Sequence, residues 1–443
     1  MKAKYSGYRF IGDIPREWSV ERLSNVAMLF GRIGWQGLRS DEFLDEGPFL
    51  VTGTDFSDGH VDWNSCVHIS EERWEEARQI QLNNNDLLIT KDGTVGKLAI
   101  VTGLDNKASL NSGVMRIVPR MPDAYSVKFL YYTLASKAFT DWYEDITTGQ
   151  STIKHLFQHD FYHFVFACPP LGEQRVIADK LDKLIGGIDN ALSIAEKQTS
   201  TLERYKSSLI HEAVTKGLDR DVPTRPSGIE WIGDIPSNWE IVRQSLIATK
   251  IGSGKTPLGG NDSYEDDGVP LIRSQNVYGD KLHLEDVVYI DEATDADMAS
   301  TRVMPGDVLL NITGASIGRS CVVPEELGKA NVNQHVCIIR PDKLLSSPRY
   351  LQYCWSTIGQ SWISSYQVGA TREAMNFAQI GKSRFPLPPL TQQLKIADYL
   401  DDKCAHVDRI LDLKRGQVDV LRRRRQSLIY EYVTGKRRVG QEA

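Results

Sequence analysis

The sequence predicts a mixed α+β fold with an internal repeat, in which two long antiparallel helices join and separate two similar domains. Three observations predict this fold. A long helical segment after a pair of prolines occurs twice, a short motif near the start of each half also occurs twice, and both repeats recur about 220 residues apart in a chain of 443 residues. Together they favour two copies of one domain related by a pseudo-twofold axis.

The helical segments carry the clearest repeat. They begin at Pro169-Pro170-Leu171 and Pro388-Pro389-Leu390, and each continues as Ile-Ala-Asp-x-Leu-Asp, at 177–182 and 396–401. The prolines end the preceding strand and leave the helix to start just after them. Gly217 then provides a C-cap for the first helix. Each helix should contain about 44 residues and span roughly 65 Å.

The apolar spacing of these segments predicts a coiled coil, because steps of four and three residues place side chains on one seam. In the first helix the predicted seam is Ile177, Leu181, Leu184, Ile188, Ala191, Ala195, Leu202, Tyr205 and Leu209. In the second it contains Lys403, Lys414, Gln417 and Arg424 among Ile396, Leu400, Val407, Ile410, Leu421 and Leu428. A helix pair with buried stems and charged ends at its rim accommodates both sets. Two separate core helices are the alternative.

The domains repeat as well. The matched segments are 11–15 with 232–236, 86–89 with 307–310, and 111–119 with 333–341. The first pair reads Ile-Gly-Asp-Ile-Pro and is followed by Trp18 and Trp239, and the other two pairs predict strands and glycine turns. Ser126 and Ser347 are predicted N-caps of a later helix in each domain.

The repeat divides the chain. The predicted parts are residues 1–170 for domain 1, 171–217 for a central spacer helix, 218–227 for a polar linker, 228–389 for domain 2, 390–435 for a C-terminal spacer helix and 436–443 for a basic tail. The first helix leaves domain 1 and the second leaves domain 2. The helices should therefore be antiparallel, with the domains at opposite ends and the C-terminus returning near the N-terminus.

Composition limits the class of protein. Hydrophobic content of 41% and charged content of 25% are ordinary for a globular protein. No apolar run reaches the ~18 residues of a membrane span, and the N-terminus lacks the apolar core of a signal peptide. Six cysteines stand far apart without C-x-x-C spacing, which predicts reduced thiols and a cytoplasmic location.

The charge balance gives a mixed signal about nucleic acids. A net charge of −6 and a pI near 5.9 argue against indiscriminate binding to nucleic acid. Basic residues nevertheless cluster at 422–425 and 436–438, so the sequence is compatible with a local basic face that binds nucleic acid. The alternative is a solvated helix end and tail.

Motifs for catalysis are weak. Gly254-Lys255-Thr256 lacks the earlier glycine of a phosphate loop, because position 249 is threonine. Histidines 155, 159 and 163 have helical metal-ligand spacing, but 161–166 is predicted to be a strand, so no metal site is expected. The sequence shows neither an Asn-Pro-Pro-aromatic segment of an adenine methylase nor a nuclease carboxylate cluster. The chain is therefore expected to recognise a target and not to catalyse a reaction.

The order of these parts resembles the specificity subunit of type I restriction–modification enzymes. The resemblance covers nearly the whole chain. Its motifs are the doubled Ile-Gly-Asp-Ile-Pro and Pro-Pro-Leu-x-x-Gln segments, Ser253-Gly254-Lys255-Thr256-Pro257 with 270–274, and Gly369-Ala370-Thr371-Arg372. Domain 1 departs from it, because Gly149-Gln150-Ser151-Thr152 lacks the arginine and Gly31-Arg32-Ile33-Gly34 replaces the Gly-Lys-Thr-Pro segment.

The resemblance implies a function and partners. Two target-recognition domains would read the two halves of a split, asymmetric site in double-stranded DNA, domain 1 the 5′ half and domain 2 the 3′ half. The long helices would set the gap and hold two modification subunits that carry S-adenosylmethionine. Restriction subunits that use ATP and Mg²⁺ would join them, and this chain would carry no cofactor of its own. The rivals are a stand-alone methyltransferase or nuclease, and a coiled-coil adaptor protein.

Polar side chains on loops between strands are the candidate DNA contacts, since Arg, Lys, Asn, Gln, Ser and Thr read base edges in the major groove. In domain 1 the candidates are Lys91, Thr94, Lys97, Gln150, Ser151 and Thr152. In domain 2 they are Arg273, Ser274, Asn276, Asn311, Thr313, Ser316, Arg319, Thr371 and Arg372. For each, the alternative is a turn residue that satisfies its own backbone.

Overall fold

The computed structural model describes residues 3–32, 38–148, 155–257, 259–260, 264–279, 281–366 and 374–440. The chain forms two compact units. Unit 1 consists of Met1–Glu196 with Gly416–Ala443, and unit 2 consists of Lys197–Arg415. Each unit therefore contains one domain, the first half of the helix that follows it and the second half of the other long helix.

Unit 1 is built of short strands and helices. Its strands are β1 (Ala3–Tyr5), β2 (Asp13–Pro15), β3 (Ser19–Arg22), β4 (Ala27–Gly31), β5 (Leu44–Val51), β6 (Phe56–Ser57), β7 (His60–Val61), β8 (Val67–His68), β9 (Leu87–Thr90), β10 (Leu98–Ile100), β11 (Ala108–Leu110), β12 (Val114–Pro119) and β13 (Val165–Cys168). Its helices are α1 (Leu23–Val26), α2 (Glu71–Glu75), α3 (Val127–Leu134), α4 (Lys137–Thr147), α5 (Gln158–Phe161) and the first part of α6 (Leu171–Lys216).

The main sheet of unit 1 has the strand order β4-β12-β9-β10-β7-β6, and β11-β5-β8 form a second sheet. Strand β9 lies inside the main sheet and all four of its residues are buried, which is why Leu87, Leu88 and Ile89 are apolar in succession without alternation. A third pairing, of β13 with β3, brings the chain to the prolines before α6.

Unit 2 repeats this plan. Its strands are β14 (Thr224–Pro226), β15 (Asp234–Pro236), β16 (Glu240–Arg243), β17 (Ala248–Ser253), β18 (Val269–Ile272), β19 (Val288–Ile290), β20 (Val308–Asn311), β21 (Ser320–Val322), β22 (Asn331–Val332), β23 (Val336–Pro341) and β24 (Arg384–Leu387). Its helices are α7 (Glu292–Asp297), α8 (Pro348–Cys354), α9 (Gln360–Tyr366), α10 (Phe377–Lys382) and the first part of α11 (Leu390–Val433). A π-helical turn, Trp355–Gly359, joins α8 to α9.

The strand pairing of unit 2 matches that of unit 1. The order β17-β23-β20-β21 corresponds to β4-β12-β9-β10, and β19-β18-β22 corresponds to β8-β5-β11. In both units the central pair is antiparallel, with β12 on β9 and β23 on β20. The predicted α+β repeat is confirmed.

Local signals for the helix boundaries are also confirmed. The Ser126 hydroxyl accepts a hydrogen bond from the backbone N–H of Phe129 at the start of α3. Ser347 is the N-cap of α8 with proline in the first turn, although its side chain makes no capping bond. Helix α6 ends at Lys216, and Gly217 takes the left-handed conformation of a C-cap (φ +76°).

One strand was predicted too early. The run 161–166 is not a strand throughout, because Gln158–Phe161 forms helix α5 and strand β13 begins only at Val165. Phe161 and Phe164 are fully buried, and the backbone N–H of Phe164 donates to the Phe161 carbonyl at 3.0 Å. Aromatic residues suit both a strand and a buried turn, so their run alone did not separate the two.

The two long helices pair in both units. In unit 1, Arg425 binds Asp189 and Arg422 binds Glu196, each at 2.8 Å. In unit 2, Arg415 binds Glu203 at 2.9 Å and Lys206 binds Asp408 at 2.6 Å. Partner numbers rise along α6 while they fall along α11, so the helices are antiparallel, as predicted.

The phase of the predicted seam needs correction. The inward-facing positions of α11 are Ile396, Leu400, Cys404, Val407, Leu411, Lys414, Val418, Leu421, Arg425 and Leu428. Lys403, Gln417 and Arg424 are exposed, and in α6 Tyr205 is 55% exposed. The predicted seam advances by three residues after Leu400 and after Leu202. The inward-facing side chains advance by four residues at both places, which shifts the phase of the seam.

Candidate nucleic-acid interface

The loop between β9 and β10 in unit 1 carries three of the predicted residues. The Thr90 hydroxyl donates to the Thr94 carbonyl at 2.5 Å and accepts from the Lys97 N–H at 2.9 Å. Thr94 and Lys97 are exposed, whereas Lys91 is half-buried. A buried threonine therefore closes the loop and leaves two polar side chains on its surface.

Unit 2 builds the same loop between β20 and β21. Asn311 replaces Thr90, and its N–H donates to the Arg319 carbonyl at 2.8 Å, as the Thr90 N–H donates to the Lys97 carbonyl at 2.9 Å. Arg319 thus stands where unit 1 has Lys97. The counterpart of Lys91 is Ile312, which is buried, so the two loops share a scaffold and differ in their side chains.

The side chain of Asn311 joins two predicted segments. It is fully buried, and its Nδ2 donates to the Ser274 carbonyl at 2.8 Å and to the Ser316 hydroxyl at 3.1 Å. Asn276 is also buried, accepting from the Arg273 N–H and donating to the His283 carbonyl, both at 2.9 Å. These contacts fit the alternative in which both asparagines stabilise the loop backbone. A base contact by either asparagine stays a prediction.

Aromatic rings, which the sequence did not indicate, support the arginines. The Arg319 guanidinium lies 5.3 Å from the ring centre of Tyr278, and the Arg273 guanidinium lies 5.6 Å from that of Tyr264. Arg273 also donates to the Asp286 carbonyl at 3.0 Å. The only sequence signal for these tyrosines is an aromatic residue within an otherwise polar loop.

Histidines close the same loops. The Thr313 hydroxyl lies 2.8 Å from Nδ1 of His335, and in unit 1 His155 pairs with Asp92 at the corresponding loop position. His159 contacts Asp160 at 3.2 Å instead. The described ranges contain no cluster of three His, Cys, Asp or Glu side chains with metal-site geometry.

Five predicted contacts, Gln150, Ser151, Thr152, Thr371 and Arg372, lie outside the described residues. The chain just beyond each group is anchored to the loops above. The Leu156 N–H donates to the Lys91 carbonyl and the Met375 N–H donates to the Ile312 carbonyl, each at 2.9 Å. The same anchor therefore follows both groups, and their DNA contacts stay a prediction.

Gly254, in the Gly-Lys-Thr segment, is required by packing. A Cβ atom there would lie 1.5 Å from the Val332 carbonyl oxygen, so only glycine fits against β22. Unit 1 has Arg32 at this place, and its guanidinium donates to the Leu110 carbonyl at 2.8 Å. Burial, together with the nearby charge of Arg73, lowers the pKa of Arg32 to about 10, so it stays charged at neutral pH.

Comparison with known proteins identifies the family. A family model described as the type I restriction modification DNA specificity domain matches residues 15–200 and 236–418, once in each half of the chain. These matches cover well over half of the sequence. The chain belongs to this family. Its internal repeat is thus a repeat of the specificity domain.

Curated relatives extend over most of the chain. The type I restriction enzyme EcoBI specificity subunit of Escherichia coli is 26% identical over 414 residues, which cover 91% of this chain and 82% of that protein. The putative type I restriction enzyme MjaX specificity subunit of Methanocaldococcus jannaschii is 24% identical over 436 residues, covering 97% and 96%. Both likenesses span the two specificity domains.

A solved structure has the same fold. It comes from work on complex assembly and conformational transition of the type I restriction–modification system, and it matches with a TM-score of 0.68 at 16% identity. The match covers 96% of this chain and 99% of that chain. In the described part of this specificity-family protein, no helix combines the length and apolar character that a membrane span needs.

Proposed function

We propose that the chain is the specificity subunit of a type I restriction–modification complex and reads a split, asymmetric site in double-stranded DNA. The observation that carries the proposal is the loop scaffold that occurs once in each unit with different side chains. The Thr90 and Asn311 loops share their backbone bonds, whereas the exposed cations are Lys97 in one and Arg319 in the other. One scaffold with two sets of side chains suits two different half-sites.

The chain acts in this proposal through partners. Two modification subunits with S-adenosylmethionine would methylate the site, and restriction subunits with ATP and Mg²⁺ would cleave unmodified DNA. The chain itself would recognise DNA without catalysis and would work in the cytoplasm. The missing methylase and nuclease motifs support this assignment, and so does the wide spacing of the six cysteines, which includes no C-x-x-C pair.

The paired helices would set the gap between the half-sites. Reading domains separated by about one helical turn of DNA, ~34–36 Å, meet the same groove from the same side. Helices α6 and α11 contain 46 and 44 residues. Ion pairs in both units fix their register, which a spacer requires.

Base-resolution methylome sequencing tests the proposal. A host expresses the neighbouring modification subunit with or without this chain, and a split asymmetric methylated motif is expected only when the chain is present. Identical methylation in both hosts, with expression and assembly of the chain verified, would reject the specificity role. Methyl transfer by the purified chain alone would favour the stand-alone enzyme. A complex with its partner subunits that shows no sequence-dependent DNA binding would favour the adaptor.

A further inference from the structure

Three side chains of unit 2 form a stack on the surface of the candidate interface. The ring of Tyr278 lies against that of His283, with ring centres 4.1 Å apart, and the Arg319 guanidinium lies over the Tyr278 ring. Tyr278 is 41% exposed, and Arg319 is exposed. The exposed guanidinium of Arg319 has no ion pair within 4.0 Å among the described residues.

The Tyr278 side of the stack is held by a short hairpin. The His283 N–H donates to the Asn276 carbonyl at 2.9 Å, and the Tyr278 N–H donates to the Lys281 carbonyl at 3.1 Å. From α8, Nε2 of Gln352 donates to the Gly279 carbonyl at 2.7 Å. Gln352 is buried, so this bond fixes the hairpin from the protein interior.

The Arg319 side is held in the same way. Nε2 of Gln360 donates to the Gly318 carbonyl at 2.5 Å, directly before Arg319. Gly318 has a φ of +87°, and a Cβ atom there would lie 2.5 Å from Gln360, so the turn needs glycine. The backbone bond from Asn311 fixes the other side of Arg319.

The π-helical turn explains how one helical segment serves both sides. Gln352 and Gln360 are eight residues apart, which in an α-helix leaves them about 80° apart around the axis. The i→i+5 pattern of Trp355–Gly359 winds less per residue and brings them nearer to one face. Gly359 permits this turn, because a Cβ atom there would lie 2.5 Å from the buried Trp355 ring.

Unit 1 differs at the same place. Its counterpart of Arg319 is Lys97, and its counterpart of Gln360 is Phe139, whose ring faces Gly96 in the loop. A lysine is a single flexible charge, whereas a stacked guanidinium presents two parallel N–H groups in a fixed plane. A guanine offers two acceptors, O6 and N7, to such a pair in the major groove.

We propose that Arg319 reads a guanine in the half-site of unit 2 and that Tyr278, itself backed by His283, is the positioning residue that sets the plane of the guanidinium. This inference rests on the proposed function. Gln352 and Gln360 keep the two loops that carry the stack in place before DNA arrives.

The test uses the full chain assembled with its modification subunits, after the wild-type methylome has given both half-sites. Duplexes that carry each single-base change are methylated by complexes with Arg319→Lys, Tyr278→Phe or Tyr278→Leu. Arg319→Lys should lower the preference for guanine at one position of one half-site about tenfold or more, because a flexible ammonium lacks the planar fork that the Tyr278 ring holds in one plane. Tyr278→Leu should do the same, and Tyr278→Phe, which keeps the ring, should not.

Lys281→Ala serves as the charge control, because Lys281 is an exposed cation of the same hairpin outside the stack. It should leave the base preference unchanged. Unaltered preference in Arg319→Lys, or equal loss at every sequence as expected of a phosphate contact, overturns the reading role. Wild-type preference in Tyr278→Leu overturns the positioning role. Absence of any split motif in the wild type would instead reject the proposed function itself.

Discussion

Asp295 shows how a single buried carboxylate organises unit 2. Its side chain is fully buried between Arg302, Lys329 and Asn331. Nε of Arg302 donates to it at 3.0 Å, Nζ of Lys329 lies 2.7 Å away, and Nδ2 of Asn331 donates at 2.7 Å. The carboxylate joins α7 to β22, because Asn331 begins that strand.

This network predicts an acid-sensitive stability. Burial alone would raise the pKa of Asp295, but hydrogen bonds from Arg302 and Lys329 outweigh it and hold the pKa below its ordinary value. A carboxylate whose pKa is lower in the folded state stabilises the fold above its unfolded pKa and loses that contribution as the pH falls toward its folded pKa. Urea unfolding measured from pH 7 down to pH 3 should therefore show a free energy of unfolding that decreases as the pH is lowered.

Asp295→Asn isolates this contribution. At pH 7 the variant should lose about 1.5–3 kcal/mol of unfolding free energy, since charged hydrogen bonds become neutral ones. Its stability should also depend less on pH in the acid range than that of the wild type. Asp297→Asn, on the exposed side of the same helix, is the matched control. Equal pH dependence of Asp295→Asn and the wild type would contradict the prediction.

At the scale of residues, the sequence predicted which loops carry the candidate side chains, but not which other residues those side chains contact. Lys97 and Arg319 were selected as polar residues near glycine turns, and the structure places both on the surface at equivalent positions. Tyr278 and His283 were missed, because their stack with Arg319 joins loops that are distant in sequence. Asn311 was selected for its polarity, yet its burial depends on tertiary packing that no local pattern reports.

At the scale of elements, the two long helices are defined by the register in which they pair. Their existence and start followed from the repeated Pro-Pro-Leu motif and from the apolar spacing. Their phase did not, because the half-buried side chains of Lys206 and Arg425 turn inward and pair across the helices, with Asp408 and Asp189. A charged residue can occupy a seam position, so hydrophobicity alone cannot choose between adjacent residues there.

The spacer role predicts the effect of lengthening the helices. Seven residues inserted after Glu196 and seven after Arg415 preserve the seam and add about 10.5 Å of helix. The gap in the methylated motif should lengthen by roughly three base pairs at ~3.4 Å each, while both half-sites stay the same. Methylome sequencing gives the gap directly.

Five-residue insertions at the same places are the control. They add helix but rotate the seam by roughly 140° away from its partner, so they should reduce stability and methylation without a defined longer gap. A folded seven-residue variant that keeps the wild-type gap would contradict the spacer role.

On the scale of the whole molecule, unit 1 holds both ends of the chain. The Arg438 guanidinium contacts Glu17 and donates to Glu173 at 2.8 Å. The indole N–H of Trp18 donates to the same Glu173 at 3.1 Å. The C-terminal segment therefore lies against the N-terminal motif, as the sequence predicted.

The equivalent positions of unit 2 lack the acidic residues that make this contact. In unit 2, Trp239 donates to Gln392 at 3.0 Å, and Asn238 and Gln392 stand where unit 1 has Glu17 and Glu173. Only unit 1 thus combines two carboxylates with the tryptophan. In unit 1 this acidic pair binds Arg438 of the C-terminal segment.

Arg438→Glu should release this segment, because it puts a third carboxylate beside Glu17 and Glu173. The expected result is a lower free energy of unfolding and faster amide hydrogen exchange at residues 434–440. Arg423→Glu changes the net charge equally at an exposed position of α11 in unit 1 and is the control. Exchange at 434–440 that is unchanged in Arg438→Glu would contradict the assignment.

The division of the chain also sets an order of events on the ribosome. Unit 2 is one continuous stretch, Lys197–Arg415, whereas unit 1 needs Gly416–Ala443 to be complete. Domains usually fold in the order of their synthesis. Here the unit that is translated first is completed after unit 2, and until residues 416–443 are made the buried face of α6 around Ile177, Leu181 and Ile185 lacks Leu428 and Ile429 of its core. During that interval the exposed apolar face is open to aggregation and to chaperone binding.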